Sequence, residues 1–114
     1  MIMVGELKGR PRFVMQSGVT IALRPKDAWV VGRVAPDAQD IDVDLTPYCK
    51  KDDGVSRHHV RIQRTLSGFT VEDIGSLNET CLNQDRIAAG QPFPLAHGDR
   101  LTLGNLRVTF LVDD

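Results

Sequence analysis

Gly54-Val55-Ser56-Arg57-His58-His59-Val60 opens the stretch whose reading decides the fold, and Asp73-Ile74-Gly75-Ser76-Leu77-Asn78-Glu79-Thr80 closes it. Between the two, His59 to Arg64 and Phe69 to Asp73 alternate polar and apolar residues, with Ser67-Gly68 as a turn. Period-two alternation marks half-buried strands. The segment therefore reads as two strands that bring two polar corners to the same end of a sheet. The first corner holds a hydroxyl, a guanidinium and two imidazoles; the second is an amide-bearing turn. Gly32-Arg33, just past the apolar run Ala28-Trp29-Val30-Val31, adds another guanidinium. Together the corners read as one anion-binding surface held still by the rest of the chain.

Strand signals extend outward in both directions. Ile2 to Leu7 is a short first candidate, ended by the turn-rich Lys8-Gly9-Arg10-Pro11. Arg12 to Met15 and Val19 to Leu23 flank Ser17-Gly18 as a hairpin. The continuous apolar run 28–31 suits a strand covered on both faces. Ile41, Val43 and Leu45 alternate with three aspartates, and 46–54 reads as a long exposed loop. The two-residue turn Asn78-Glu79 leads into Thr80-Cys81-Leu82, Asn83-Gln84-Asp85 turns the chain into Arg86-Ile87, and Ala88 to Pro94, with two prolines, reads as irregular. Leu101 and Leu103 alternate, Gly104-Asn105 turns the chain, and Leu106 to Val112 closes it, leaving Asp113-Asp114 as a frayed end or linker. Ten or eleven short strands at close spacing, with no sustained helical period, point to an all-β sandwich or barrel.

Composition narrows the function classes. One domain is expected for 114 residues, with 41% apolar and 25% charged residues, as in ordinary folded chains. A net charge of −1 argues against a general nucleic-acid binder. Yet ten of the fourteen basic residues are arginine, whose planar fork suits phosphate and carboxylate. Cys49 and Cys81 allow one disulfide but suggest no framework, and Cys81 reads as a small hydrophobe. No apolar run nears the ~18 residues of a membrane span, and the N-terminus lacks the pattern of a signal peptide. A cytoplasmic protein without direct membrane contact is the default expectation.

Taken singly, the polar residues have bland readings. Arg33 suits a solvated strand end, and Asn78 a turn. His58 and His59 are neighbours, so on a strand they would face opposite ways and could not share a metal ion. Neither cysteine has ligand-like spacing, and no metal or other cofactor is expected. A Ser-His hydrolase would need a strand-to-helix elbow, which the chain lacks.

Taken in order, four motifs make a specific pattern. They are Gly32-Arg33, Ser56-Arg57-His58-His59, Asp73 to Thr80, and Leu95-Ala96-His97-Gly98-Asp99-Arg100-Leu101-Thr102-Leu103-Gly104. This pattern resembles the forkhead-associated (FHA) domain over residues 15–112. The resemblance implies an eleven-stranded β-sandwich of two sheets, FHA/SMAD-like, with ligand loops at one end, in a single domain spanning 1–114. It implies recognition of phosphothreonine in an extended peptide of a partner, a Ser/Thr kinase or its substrate, without catalysis. Arg33, Ser56 and Arg57 would contact the phosphate, and Asn78 the peptide backbone. Gly32 and Gly75 would shape the loops, and His59 would brace them from beneath. His58, at the variable position, inherits no role.

Two residues depart from the family pattern. Glu79 stands at the usual glycine, where a positive φ would cost on the order of 1 kcal/mol. Its carboxylate would either repel the phosphate or pair with an arginine and tune the site. Leu77 replaces a serine or threonine found in some members and would remove one phosphate contact. Gly54, two before the serine, replaces a residue that is basic in some members. A phosphate-independent scaffold on the same fold is the rival reading, and an enzyme using Ser56 with His58 or His59 is a second.

Overall fold

Alternation sets the layers. In β1 (Arg10–Met15), Pro11, Phe13 and Met15 are buried while the residues between them are exposed or half-buried. The same rule places Val60 and Ile62 of β5 (Val60–Thr65), Phe69, Val71 and Asp73 of β6 (Gly68–Asp73), and Leu106, Val108 and Phe110 of β11 (Leu106–Asp113) on inner faces. The computed structural model describes residues 9–113, and among these it holds eleven strands in two sheets. The first sheet joins β1 and β11 to β2 (Thr20–Ala22), β7 (Thr80–Leu82), β8 (Asp85–Arg86) and β10 (Arg100–Leu103), in the order β2-β1-β11-β10-β7-β8. The second joins β5 and β6 to β3 (Ala28–Gly32), β4 (Val43–Asp44) and β9 (Pro92–Leu95), in the order β4-β3-β5-β6-β9. The all-β, two-sheet expectation holds.

Aromatic rings lock the layers together. Phe110 of one sheet meets Phe69 of the other edge-on at 5.3 Å between centroids, and Phe13 at 6.0 Å. Trp29 packs against Phe69 at 6.4 Å. Each such pair contributes roughly 0.5–1.5 kcal/mol beyond the area it buries.

Strand direction gathers the loops. Val31 pairs with Val60 and Val60 with Asp73, so the end of β3, the start of β5 and the end of β6 lie side by side. Leu103 pairs with Thr80, which brings the β10–β11 turn to the same end.

Several local expectations are corrected. The run 28–31 is covered fully on one face only: Trp29 and Val31 are buried, Ala28 and Val30 half-buried, because the described residues form two sheets and no third layer outside this one. The alternation at 41–45 yields only the two-residue β4, since the Asp42 and Asp44 side chains accept backbone N–H groups from Val30, Val34 and Thr46. The loop 46–54 contains two short 3-10 turns, Thr46–Tyr48 and Lys51–Asp53. Part of the proline-bearing stretch is a strand, β9; it lies at a sheet edge, where missing N–H donors do no harm. Asp113 is held in β11 opposite Arg10 and ion-paired to Arg12, so it is not frayed. Both cysteines are free and half-buried. The candidate strand Ile2 to Leu7 lies outside the described residues.

Candidate functional site

Gly32, the last residue of β3, lets the 54–59 loop come down onto the strand. A Cβ there would lie 1.8 Å from the Arg57 carbonyl oxygen and 2.8 Å from that of Ser56. Both carbonyls instead accept the Arg33 backbone N–H, at 3.1 and 3.2 Å. The Arg33 side chain is half-buried and donates Nε–H to the Val55 carbonyl. Its two terminal amino groups have no hydrogen-bond partner among the described residues.

His59 ties the loop to the turn beyond β6. It is fully buried. Its Nδ1 accepts the Ser56 N–H at 3.0 Å, so the proton sits on Nε2, which donates to the Glu79 carbonyl at 3.0 Å. Burial lowers the pKa of the ring; the Glu79 carbonyl and the Asp73 carboxylate oppose this without overcoming it. The ring is therefore neutral, as its two hydrogen bonds require. The Ser56 hydroxyl accepts the Leu77 N–H at 2.9 Å, which leaves its own proton free to donate outward.

Asp73 organises the second corner. It is 3% exposed and accepts the N–H groups of Gly75 at 2.9 Å and Ser76 at 2.8 Å, and the hydroxyls of Ser76 and Thr80. Burial alone would raise its pKa, but the hydrogen bonds from Ser76, Thr80 and Gly75 outweigh it and hold the carboxyl below its usual value. Strand alternation in the sequence places Asp73 on a strand face and says nothing of this role. Its position two residues before a glycine, at the start of a turn, is the signal that points to it.

Asn78 follows on that turn. Its amide donates to the Gly54 carbonyl at 3.0 Å and so links the two corners directly. Leu77 beside it is 86% exposed, with no core to enter. Glu79 has φ +67, the left-handed conformation that makes a non-glycine residue costly there. Its carboxylate does pair with an arginine, Arg86 of β8, at 3.2 Å. The β10–β11 turn closes the platform: Gly104 N–H reaches the Glu79 carbonyl and Asn105 N–H the Asp53 carbonyl, at 3.2 and 2.7 Å.

The Arg57 guanidinium donates to Asp37 at 2.6 Å, and His58 Nε2 lies 2.8 Å from Asp40. The His58 hydrogen bond is the main cause of a lowered Asp40 pKa. Both aspartates belong to the β3–β4 loop, which the mutual Ala35–Ala38 backbone pair pins. Nothing in the sequence pattern marks Asp37, Asp40 or Arg86 as neighbours of the site.

Arg33, Ser56, Arg57, His59, Asn78 and Glu79 are thus joined through direct hydrogen bonds of their loops at one end of the sandwich, with Gly32 beneath. Gly75 enters through Asp73. Among the described residues no cluster of three or more His, Cys, Asp or Glu side chains could hold a metal ion, and no helix is long and apolar enough to cross a membrane.

The family model described as FHA domain matches residues 29–104. An FHA domain-containing protein of Arabidopsis thaliana is 34% identical over 67 residues, covering 56% of this chain and 17% of its own length. The glycogen accumulation regulator GarA of Mycobacterium tuberculosis is 31% identical over 100 residues, covering 88% of this chain and 49% of its own. The chain thus spans half or less of the length of these relatives. An FHA domain solved in a study of phosphothreonine-dependent FHA domain interactions superimposes with a TM-score of 0.71 at 26% identity, covering 92% of this chain and 98% of that one. The match over residues 29–104 contains the β3 end, both polar corners and the β10 strand that frame the site, and on it the chain belongs to the FHA domain family, a family of binding modules.

Proposed function

We propose that this domain binds phosphothreonine in an extended peptide segment of a partner protein, as a module in Ser/Thr kinase signalling. The observation that carries the reading is the pairing of the unbonded Arg33 terminal amino groups with the outward Ser56 hydroxyl proton on adjacent loops. A phosphothreonine brings about −1.5 to −2 charges and three acceptor oxygens. The Arg33 fork and the Ser56 hydroxyl supply donors for these, and Arg57 adds a charge when it exchanges Asp37 for phosphate. Asn78 has an amide oxygen left for the peptide backbone. Gly32, Gly75 and His59 shape the loops, and Leu77 and Glu79 modulate what they accept. The similarity to an FHA domain studied for phosphothreonine dependence supports the same reading. The domain works without catalysis or cofactor, in the cytoplasm, on a kinase or its substrate, and residues 1–114 act as one unit.

Titration of a phosphothreonine peptide library and its unphosphorylated twin, by anisotropy or calorimetry, tests this. Phosphorylated members should bind selectively, and Arg33→Ala and Ser56→Ala should each abolish that binding with the fold intact. Wild-type affinity in both variants would sink the assignment. Glu79 and the Arg57–Asp37 pair favour one rival: a scaffold that binds partners independently of phosphate. Equal affinity for both peptide versions would decide for it.

A further inference from the structure

The end of the sandwich opposite these loops carries a groove of about 640 Å³, within the ~300–1,000 Å³ of ordinary ligand sites. Its position follows from strand direction. β5 starts at the loop end and reaches Arg64 at the far end; Asp113 ends β11 there, opposite Arg10 at the start of β1. Among the described residues four arginines, Arg10, Arg12, Arg24 and Arg64, line the groove, and Asp113 is the one carboxylate. That is four of the chain's ten arginines around one cavity, in a protein of net charge −1.

The four cations divide into two kinds. Arg12 and Arg64 are anchored. Arg12 is ion-paired to Asp113, yet its buried terminal nitrogen is not aligned for a hydrogen bond. Arg64 donates to the Gly9 carbonyl at 3.1 Å and lies over the Phe69 ring, 4.8 Å from its centroid. Arg10 and Arg24 are exposed, and neither side chain makes a hydrogen bond or salt bridge among the described residues. Between them the floor is apolar, with Pro11 and Leu23 buried.

We infer that this groove is a second binding site, for a carboxylate-rich peptide segment of a partner protein. Charge complementarity is the reason: arginine forks bind carboxylates bidentately, and among the described lining residues four of them share one carboxylate, Asp113, with Asp42 acting on Arg24 from outside the groove. The arginines come from three chain segments, around 10–12, 24 and 64, and two of them, Arg10 and Arg24, are exposed with no hydrogen bond or salt bridge among the described residues, so a segment carrying several carboxylates has more than one fork to meet. The apolar floor takes the aliphatic stems of glutamate side chains. The site is independent of the phosphothreonine reading and needs no phosphate.

The probe is an unphosphorylated, fluorescein-labelled peptide alternating glutamate and alanine, with its glutamine counterpart as control. Anisotropy at low ionic strength should show binding of the glutamate peptide only, weakening as salt screens the exposed charges. Arg10→Glu with Arg24→Glu should weaken it about tenfold or more. Phosphothreonine-peptide affinity and Tm should stay unchanged, and Ser56→Ala should leave the acidic peptide bound. If the double reversal fails to fold, Arg10→Gln with Arg24→Gln gives the same readout. Equal binding of the two probes, binding that survives both double variants, or binding lost in Ser56→Ala would overturn the assignment.

Discussion

Gly32 and Gly75 perform different physical tasks, and alanine substitution separates them. At Gly32 the backbone conformation is one any residue adopts, but a Cβ would sit 1.8 Å from the Arg57 carbonyl oxygen and 2.8 Å from the Ser56 oxygen. Contacts under 3.0 Å with backbone cannot be relieved by a rotamer change, so the 54–59 loop must lift. Lifting it strains the Arg33 N–H bonds to Ser56 and Arg57 and the His59 N–H bond to Val31. Overpacking costs typically 1–3 kcal/mol, and each weakened hydrogen bond adds about 0.5–1.5 kcal/mol. Gly32→Ala should therefore lose about 3 kcal/mol or more, which for a domain of this size lowers Tm by roughly 10–15 °C. At Gly75, φ is +104 and, its two chain neighbours aside, no heavy atom of the described residues lies within 4 Å of where an added methyl would stand. Gly75→Ala costs only conformational strain, about 1–2 kcal/mol. Urea denaturation followed by tryptophan fluorescence reads both, since the single Trp29 is buried. A Gly32→Ala variant within about 0.5 kcal/mol of wild type, or one less damaging than Gly75→Ala, would refute the steric argument.

Three further outcomes follow from the site. Asp73→Ala leaves four donors without their acceptor, the fully buried Thr80 hydroxyl among them, and should cost about 3 kcal/mol or more by denaturant titration; a loss under about 1 kcal/mol would mean the turn has other acceptors. His59 has its pKa lowered by burial, so below the unfolded value of about 6.5 the unfolded chain binds the proton first. Its contribution is present above that pH and is lost as pH falls toward the folded pKa. The difference in stability between wild type and His59→Gln should accordingly shrink on acidification, and a constant difference would contradict a neutral His59. Glu79→Gly relieves a left-handed residue at about 1 kcal/mol but returns about 0.4–1 kcal/mol as unfolded-state entropy. Its stability should stay near wild type while its phosphothreonine-peptide affinity rises; unchanged or lower affinity would show that the carboxylate does not oppose the phosphate.

Legibility in the sequence divides along the range of the interactions. The layers are readable because burial in a strand repeats every second residue, and Phe13, Val60, Val71 and Phe110 obey that period locally. The two corners are readable as neighbours because a single hairpin, β5–β6, joins them. The β9 strand is hidden because proline argues against strands in general, whereas the edge position that excuses it is a property of the whole sheet. The partners of the site's cations are hidden for the same reason: Arg57 meets Asp37 across 20 residues of sequence, with no repeat or spacing to mark the pair. Those hidden pairs change the electrostatic picture that the motifs alone suggest. Arg57 and Arg86, which a charge count would offer to an anionic ligand, already hold Asp37 and Glu79. Both pairs are exposed, and such pairs are worth only about 0–1 kcal/mol. Under the proposed function a phosphate would displace the Asp37 carboxylate at little cost, while the Arg33 terminal amino groups, which have no hydrogen-bond partner among the described residues, would have none to give up. On that proposal the asymmetry would make Arg33 the dominant cation and Arg57 a graded one, so Arg33→Ala should lose more phosphopeptide affinity than Arg57→Ala; equal losses by anisotropy titration would contradict it.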